Sequence, residues 1–334
     1  MSSASAHSTP QPLLGVRDLH VYFDSSGPTS RAVEGVSFDV GLGETVCLVG
    51  ESGCGKTVSA LSVLGLLPQP PARIPRGEIL FQGRNLLSLS EDQMRSVRGA
   101  EIGMVFQDPL TSLNPVFTIQ DQIEEAITAH ERAGPEELSR RCLQALRDVG
   151  IPSPRERLGN YPFELSGGQR QRVMIAMALV CNPRLIIADE PTTALDVTIQ
   201  AQIIRLFNSI QEEGTRSVLY ITHDLGVVAN VAHRVYVMYA GLIVEQGTVQ
   251  QLFRETGHPY TQGLLASLPD VGKRGNRLPI IPGAVPNPAN KPGGCPFHPR
   301  CYAALESCAR RFPEMVDCGS GHLARCPVLH PVSA

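Results

Sequence analysis

Residues Gly50-Glu51-Ser52-Gly53-Cys54-Gly55-Lys56-Thr57 fit the pattern G-x-x-x-x-G-K-[ST]. An apolar, strand-like run, Thr45 to Val49, precedes them, and a helix-compatible run, Val58 to Leu67, follows. In that context the glycines let successive N–H groups turn toward one anion. The helix N-terminus adds positive potential, Lys56 reaches the outer phosphates and the Thr57 hydroxyl can sit on Mg²⁺. A plain Gly-rich turn with an exposed lysine has no need to lie between strand and helix. Asp189 closes a second apolar run, Leu185 to Ala188, where an unpaired carboxylate would cost several kcal/mol; a nucleotide-bound Mg²⁺ is its natural partner. Glu190 is free to face a γ-phosphate and polarise an attacking water, a group that P-loop hydrolases require. His223 follows a third run, Val218 to Ile221, and can donate to the same phosphate, although a lone histidine is more often structural.

A second anion-binding helix start is predicted at Leu165-Ser166-Gly167-Gly168-Gln169. Ser166 to Gln169 has the S-x-x-Q form of a capping box, and the helical run Arg170 to Val180 stops at Asn182-Pro183. A well-capped helix would explain that much. Two glycines in the first turn would each cost about 1 kcal/mol relative to Ala, which points to something approaching the backbone closely. Phosphate fits, because exposed N–H groups and the helix dipole both favour it. One nucleotide cannot easily use both helix starts of the same chain, but a second chain can close over its open side.

These residues need a scaffold that brings strand ends together. Leu185 to Ala188, Val218 to Ile221 and Thr45 to Val49 are short and apolar throughout, as central parallel strands are, and open α/β sheets bind ligands at the carboxyl ends of such strands. From Leu13 to Gly50 short alternating strands with Gly turns predict antiparallel β structure, and Glu78 to Gln82 reads as a further strand. Past residue 115 the period becomes helical over Thr118 to Glu131 and Pro135 to Val149, the latter carrying Leu138, Cys142, Leu146 and Val149 on one face. From His258 onward the chain is rich in Pro and Cys and is expected to need a cross-link or a metal to stay folded.

With 334 residues the chain has room for about two compact units. Its 29 Lys plus Arg against 32 Asp plus Glu leave a net charge of -3, so no basic excess marks nucleic acid as a main partner. No apolar stretch approaches the ~18 residues needed to cross a bilayer. The Ser-rich start lacks the basic and apolar regions of a secretion signal and reads as a short disordered lead, which sets the expected compartment as the cytosol.

The ordered set of motifs resembles the nucleotide-binding subunit of an ATP-binding cassette (ABC) transporter. The matches run from about Leu14 to Gly247: the Walker A loop Gly50 to Thr57, the Q-loop Gln107, the signature Leu165 to Gln169, the Walker B segment Leu185 to Asp189 with Glu190, the D-loop Ala194-Leu195-Asp196 and the switch His223. The resemblance implies an α/β P-loop fold with a mixed sheet core, an antiparallel β subdomain and a helical subdomain. It implies a head-to-tail dimer in which Walker A of one subunit and Ser166, Gly167, Gly168 and Gln169 of the other sandwich ATP. By the same resemblance Lys56, Gln107, Glu190 and His223 are catalytic, Val58 adjoins the phosphates, and Thr57, Gln107 and Asp189 hold Mg²⁺. Phe23 lies where the family stacks an aromatic on adenine; Tyr22 is its rival, and Phe23 could equally be a core residue.

More narrowly, Phe106-Gln107-Asp108-Pro109, Thr111 to Pro115, Ala188 to Gln202 and His258-Pro259-Tyr260-Thr261 resemble the dipeptide/oligopeptide importer branch. That implies a similar but non-identical second ATPase subunit, two transmembrane permease subunits, an extracytoplasmic peptide-binding protein and a peripheral place on the cytoplasmic face of the inner membrane. The rivals are the same importer type with nickel, glutathione or haem as cargo, and a non-transport cassette ATPase working on ribosomes or DNA. The expected domains are the lead (1–12), the cassette (13–257, helical subdomain about 110–165) and a mostly irregular Cys-rich domain (258–334). Within the last, Cys295, Cys301, Cys308 and Cys326 lack the C-x₂₋₄-C pairs usual for structural zinc. The resemblance points instead to a [4Fe–4S] cluster on these four, with zinc, a disulfide or free thiols as alternatives and Cys318 as the spare.

Overall fold

The computed structural model describes residues 11–24, 27–193, 195–212, 214–268 and 279–330. Of the lead expected over 1–12, only residues 11 and 12 fall within them. The strands in chain order are β1 (Leu14–Phe23), β2 (Ser30–Val40), β3 (Thr45–Val49), β4 (Ala72–Phe81), β5 (Arg84–Asn85), β6 (Ile102–Val105), β7 (Leu185–Asp189), β8 (Ser217–Thr222), β9 (Arg234–Tyr239), β10 (Leu242–Thr248), β11 (Val316–Gly319) and β12 (His322–Ala324). They form an antiparallel sheet in the order β2-β1-β4-β5 and a mixed sheet in the order β11-β12-β10-β9-β3-β8-β7-β6.

The centre of the mixed sheet follows from its composition. β3, β7 and β8 are buried at every residue, and only a strand covered on both faces can be apolar at both parities. Alternate side chains serve different cores: Val46, Leu48, Leu219 and Ile221 pack toward the antiparallel sheet, whereas Cys47, Val49, Val218 and Tyr220 pack toward the helices. Fully burying one such side chain contributes about 1.5–3 kcal/mol. The parallel register pairs Val49 with Thr222 and Asp189 with Ile221, so all three strands finish on one edge. Gly50, Glu190 and His223 are delivered there together.

The helical region stands where the period change puts it, with helices Ile119–Thr128 and Pro135–Asp148. The first stops three residues before the predicted end. Thr118 and Asp121 form its capping box, and Pro135 opens the second at a position whose N–H has no helical acceptor. Cys142, Leu146 and Val149 are buried as the spacing requires, and Leu138 packs at their edge.

The C-terminal segment is held differently from the expectation. β12 pairs with β10 through Glu245↔Ala324 and Gln246↔Leu323, so the segment continues the cassette's own sheet. Phe297 packs against Tyr239, Tyr260 and His258, with ring centroids 5.1, 5.4 and 5.7 Å away. The iron–sulfur expectation for Cys295, Cys301, Cys308 and Cys326 is corrected. Among the described residues no group of three or more His, Cys, Asp or Glu side chains is placed to hold a metal ion, and the cysteines are free thiols. The four instead line parts of a cavity of about 420 Å³ together with Phe297, Leu305, Phe312, Pro313 and Val328. Burial there pushes the Cys295 thiol up to about 11 and raises that of Cys301.

Candidate active site

Gly50–Thr57 leaves β3 and turns into the helix Lys56–Val63. Carbonyl oxygens approach too closely for a side chain at two points. A Cβ on Gly50 would sit 2.2 Å from the Met238 carbonyl oxygen, and Gly55, at φ 106°, would place one 2.7 Å from the Ala32 carbonyl oxygen. Gly53 has open space around it, and Ser52 and Gly53 are exposed at the top of the loop. Cys54 is buried beneath them, and Val58 is half-buried on the helix that follows.

Lys56 is 4% exposed, and its ammonium donates to the carbonyls of Gly50 (2.8 Å) and Glu51 (3.1 Å). Its nearest carboxylate contact is Glu190 Oε1 at 3.9 Å. The Thr57 hydroxyl donates to Asp189 Oδ1 at 3.1 Å. Burial, reinforced by the neighbouring Glu190 charge, pushes Asp189 up to about 6, against the lowering influence of Thr57 and Lys56. A buried carboxylate beside a hydroxyl, short of positive charge, is a donor set suited to Mg²⁺.

Glu190 lies just past β7 at φ 46°, a left-handed conformation that turns its side chain away from the strand direction. Its backbone N–H donates to the Ile221 carbonyl at 2.9 Å. Three side chains converge on Oε2: Gln107 Nε2 at 3.3 Å, His223 Nδ1 at 3.2 Å and Thr193 Oγ1 at 2.9 Å. Residues predicted from three separate segments thus meet on one oxygen. Thr193 was missed, and its only signal is its position in the polar turn three residues after Glu190.

Ser166–Gln169 opens the separate helix Gly167–Leu179. Its capping box is formed, with Ser166 N–H donating to Gln169 Oε1 (3.0 Å) and Gln169 N–H to Ser166 Oγ (3.3 Å). The two glycines differ: a Cβ on Gly168 would meet Ile199 at 2.8 Å, so packing explains that residue, while Gly167 is exposed with nothing within 4 Å. Leu195 packs at the edge of the core and Asp196 accepts from the Ile199 N–H at 2.9 Å; Ala194 of the predicted D-loop lies outside the described residues. At the end of β1, Phe23 packs half-buried against the antiparallel-sheet core, whereas the Tyr22 ring lies 5.1 Å from the Arg73 guanidinium and 5.9 Å from that of Arg31.

Residues 33–193 match the ABC transporter family, and residues 244–308 match the C-terminal region of oligopeptide/dipeptide transporters. A probable peptide ABC transporter ATP-binding protein of Sinorhizobium fredii, y4tR, is 53% identical over 94% of each chain. The dipeptide transport ATP-binding protein DppD of Bacillus subtilis is 50% identical over 95% of this chain and 94% of that one. The chain belongs to the ATP-binding proteins of ABC transporters. It is an ATPase. Among solved structures, the dimeric bacterial ABC transporter cassette MJ0796 superposes with a TM-score of 0.64 at 28% identity, covering 71% of this chain and 98% of that one. In this ABC protein the segment matched by the oligopeptide/dipeptide model reaches the phosphate loop. Glu51 is bonded by Tyr260 and Arg300 from beyond residue 258, contacts that no motif in the sequence foretells.

Proposed function

We propose that this ATPase energises a membrane importer of dipeptides or oligopeptides, with the Walker A loop of one subunit and Ser166–Gln169 of a second enclosing each ATP. The observation that carries the reading is the convergence of Gln107, Thr193 and His223 on the Glu190 carboxylate beside the buried Lys56. In this reading Gly50 to Gly55 form the phosphate cradle: the N–H groups of Ser52, Gly53 and Gly55 face the phosphates, Glu51 is turned to Tyr260 by its own N–H, Cys54 lies beneath, and Val58 supports the base. Lys56 counters the charge of the outer phosphates. Thr57, Asp189 and Gln107 hold Mg²⁺, which supplies charge neutralisation of the phosphate oxygens. Glu190 accepts a proton from the attacking water, and the hydrogen bonds from Gln107 and Thr193, with His223 alongside, hold its acceptor oxygen in place. Gln107 exchanges its bond to Glu190, and His223 its contact with Glu190, for contacts at the γ-phosphate. Phe23 borders the adenine position, and Gly167, with open space over its backbone, takes the phosphate of the neighbouring subunit.

Among the described residues no helix is long and apolar enough to cross a membrane, so translocation falls to other chains. The peptide-transport names of relatives that match nearly the whole chain support membrane permeases and a peptide-binding protein as partners; two permease subunits, a non-identical second ATPase and a place on the cytoplasmic face of the inner membrane complete the proposal. Closure of the ATPase pair then drives the permeases between access states, by contacts that differ with the nucleotide. Glu190→Gln is expected to keep ATP binding, stall turnover and trap a nucleotide-loaded dimer, read by single-turnover hydrolysis and gel filtration with ATP. Turnover near wild type would remove Glu190 from the role of general base.

A further inference from the structure

Glu51, the second residue of the phosphate loop, is engaged at all of its polar groups. Its carboxylate takes a two-pronged bond from Arg300, Nη1 at 2.7 Å and Nη2 at 2.9 Å. Its N–H donates to the Tyr260 hydroxyl at 2.8 Å, and its carbonyl accepts from Lys56 Nζ at 3.1 Å. The two anchors are themselves fixed. The Arg300 side chain is 5% exposed; its Nε donates to the Pro282 carbonyl at 2.8 Å and its guanidinium lies 5.7 Å from the Tyr239 ring. Tyr260 is fully buried, with its ring 4.7 Å from that of Tyr239.

We propose that Arg300 and Tyr260 are positioning residues for nucleotide binding, tethering the phosphate loop from the C-terminal segment and neutralising a carboxylate that would otherwise oppose a bound triphosphate. A Gly-rich loop must surrender backbone freedom when it closes on phosphates, and anchoring it beforehand reduces what binding has to overcome. A carboxylate inside an anion-binding loop repels the ligand most strongly where water is scarce, and a guanidinium bonded to both of its oxygens removes that repulsion. The segment thus serves nucleotide affinity in this chain, in addition to whatever it does for transport.

The proposal rests on reading Gly50–Thr57 as the triphosphate site, and its test separates the two. Binding of magnesium AMP-PNP, a non-hydrolysable ATP analogue, is measured on the full chain by calorimetry, with melting curves to check the fold. Failure of the wild type to bind would refute the site; the proposal itself is judged on the variants. Arg300→Met is expected to weaken binding about 10-fold, because it strands the Glu51 carboxylate beside the ligand. Arg300→Lys, which keeps the charge without the fork, should fall between wild type and Arg300→Met. Adding Glu51→Gln to Arg300→Met should recover about 3-fold or more, a rescue that a merely structural arginine would not give. Should Arg300→Met fail to fold, Tyr260→Phe is read in its place, with an expected loss of about 3-fold. Wild-type affinity in a folded Arg300→Met, a double variant no tighter than the single, or an unchanged Tyr260→Phe would overturn the proposal.

Discussion

The phosphate loop and the cysteine segment touch at Glu51 and Arg300, yet each keeps its shape by different means. The loop's pattern is local, with a buried strand, spaced glycines and a helix start following one another directly, and distant groups (the Met238 and Ala32 carbonyls, Tyr260 and Arg300) then hold it. The cysteine segment, with only short elements among its described residues, takes its shape from what it leans on, namely the edge of β10 and the aromatic face of Tyr239. Residue types at a fixed spacing therefore specify a site where the backbone between them is regular. Where it is irregular, the same spacing says little about whether side chains converge.

The contrast can be broken at the loop first. Gly50→Ala drives a methyl to within 2.2 Å of the Met238 carbonyl oxygen, so the loop must shift. ATP hydrolysis is expected to fall about 100-fold or more in steady-state assays. In the C-terminal segment the aromatic cluster outranks the thiols. Phe297→Ala, at a 2% exposed side chain, should cost about 3–5 kcal/mol in denaturant unfolding, and Cys308→Ser less than about 1 kcal/mol. A reversal of that order would restore the cysteines as the segment's framework.

A smaller effect sharpens the electrostatic side of the comparison. Asp189 has its folded pKa raised from 3.8 to about 6, so the folded chain holds this proton more tightly than the unfolded one. Stability of the nucleotide-free protein should therefore fall as pH rises from about 4 to about 6 and level off above, a contribution on the order of 3 kcal/mol at this 3% exposed carboxylate. Asp189→Asn is expected to remove that slope while abolishing hydrolysis. A slope that survives the substitution would place the titrating group elsewhere.

Much of the site was legible because its residues end strands of recognisable pattern. Lys56, Asp189, Glu190 and His223 needed only three all-apolar runs to be placed on one edge, and the register of Val49 with Thr222 and Asp189 with Ile221 does the rest. Ser166 and Gln169 were legible as a cap, but the two glycines between them look alike in sequence, and only the packing of Ile199 separates Gly168 from Gly167. Arg300 could not be read at all. Its partner lies 249 residues earlier, and nothing periodic connects a Pro-flanked turn with a phosphate loop. The cysteines misled for the same reason, because their spacing suggests ligands while an irregular backbone sends them around a cavity.

The most direct test of the account is equilibrium binding of labelled ATP in magnesium buffer to the wild type and to Lys56→Ala, whose lost ammonium is the buried cation of the loop. Retention by the wild type and its loss in a folded Lys56→Ala are the predicted result. Equal retention by both chains, or none by the wild type, would contradict the claim that Gly50–Thr57 grips the triphosphate.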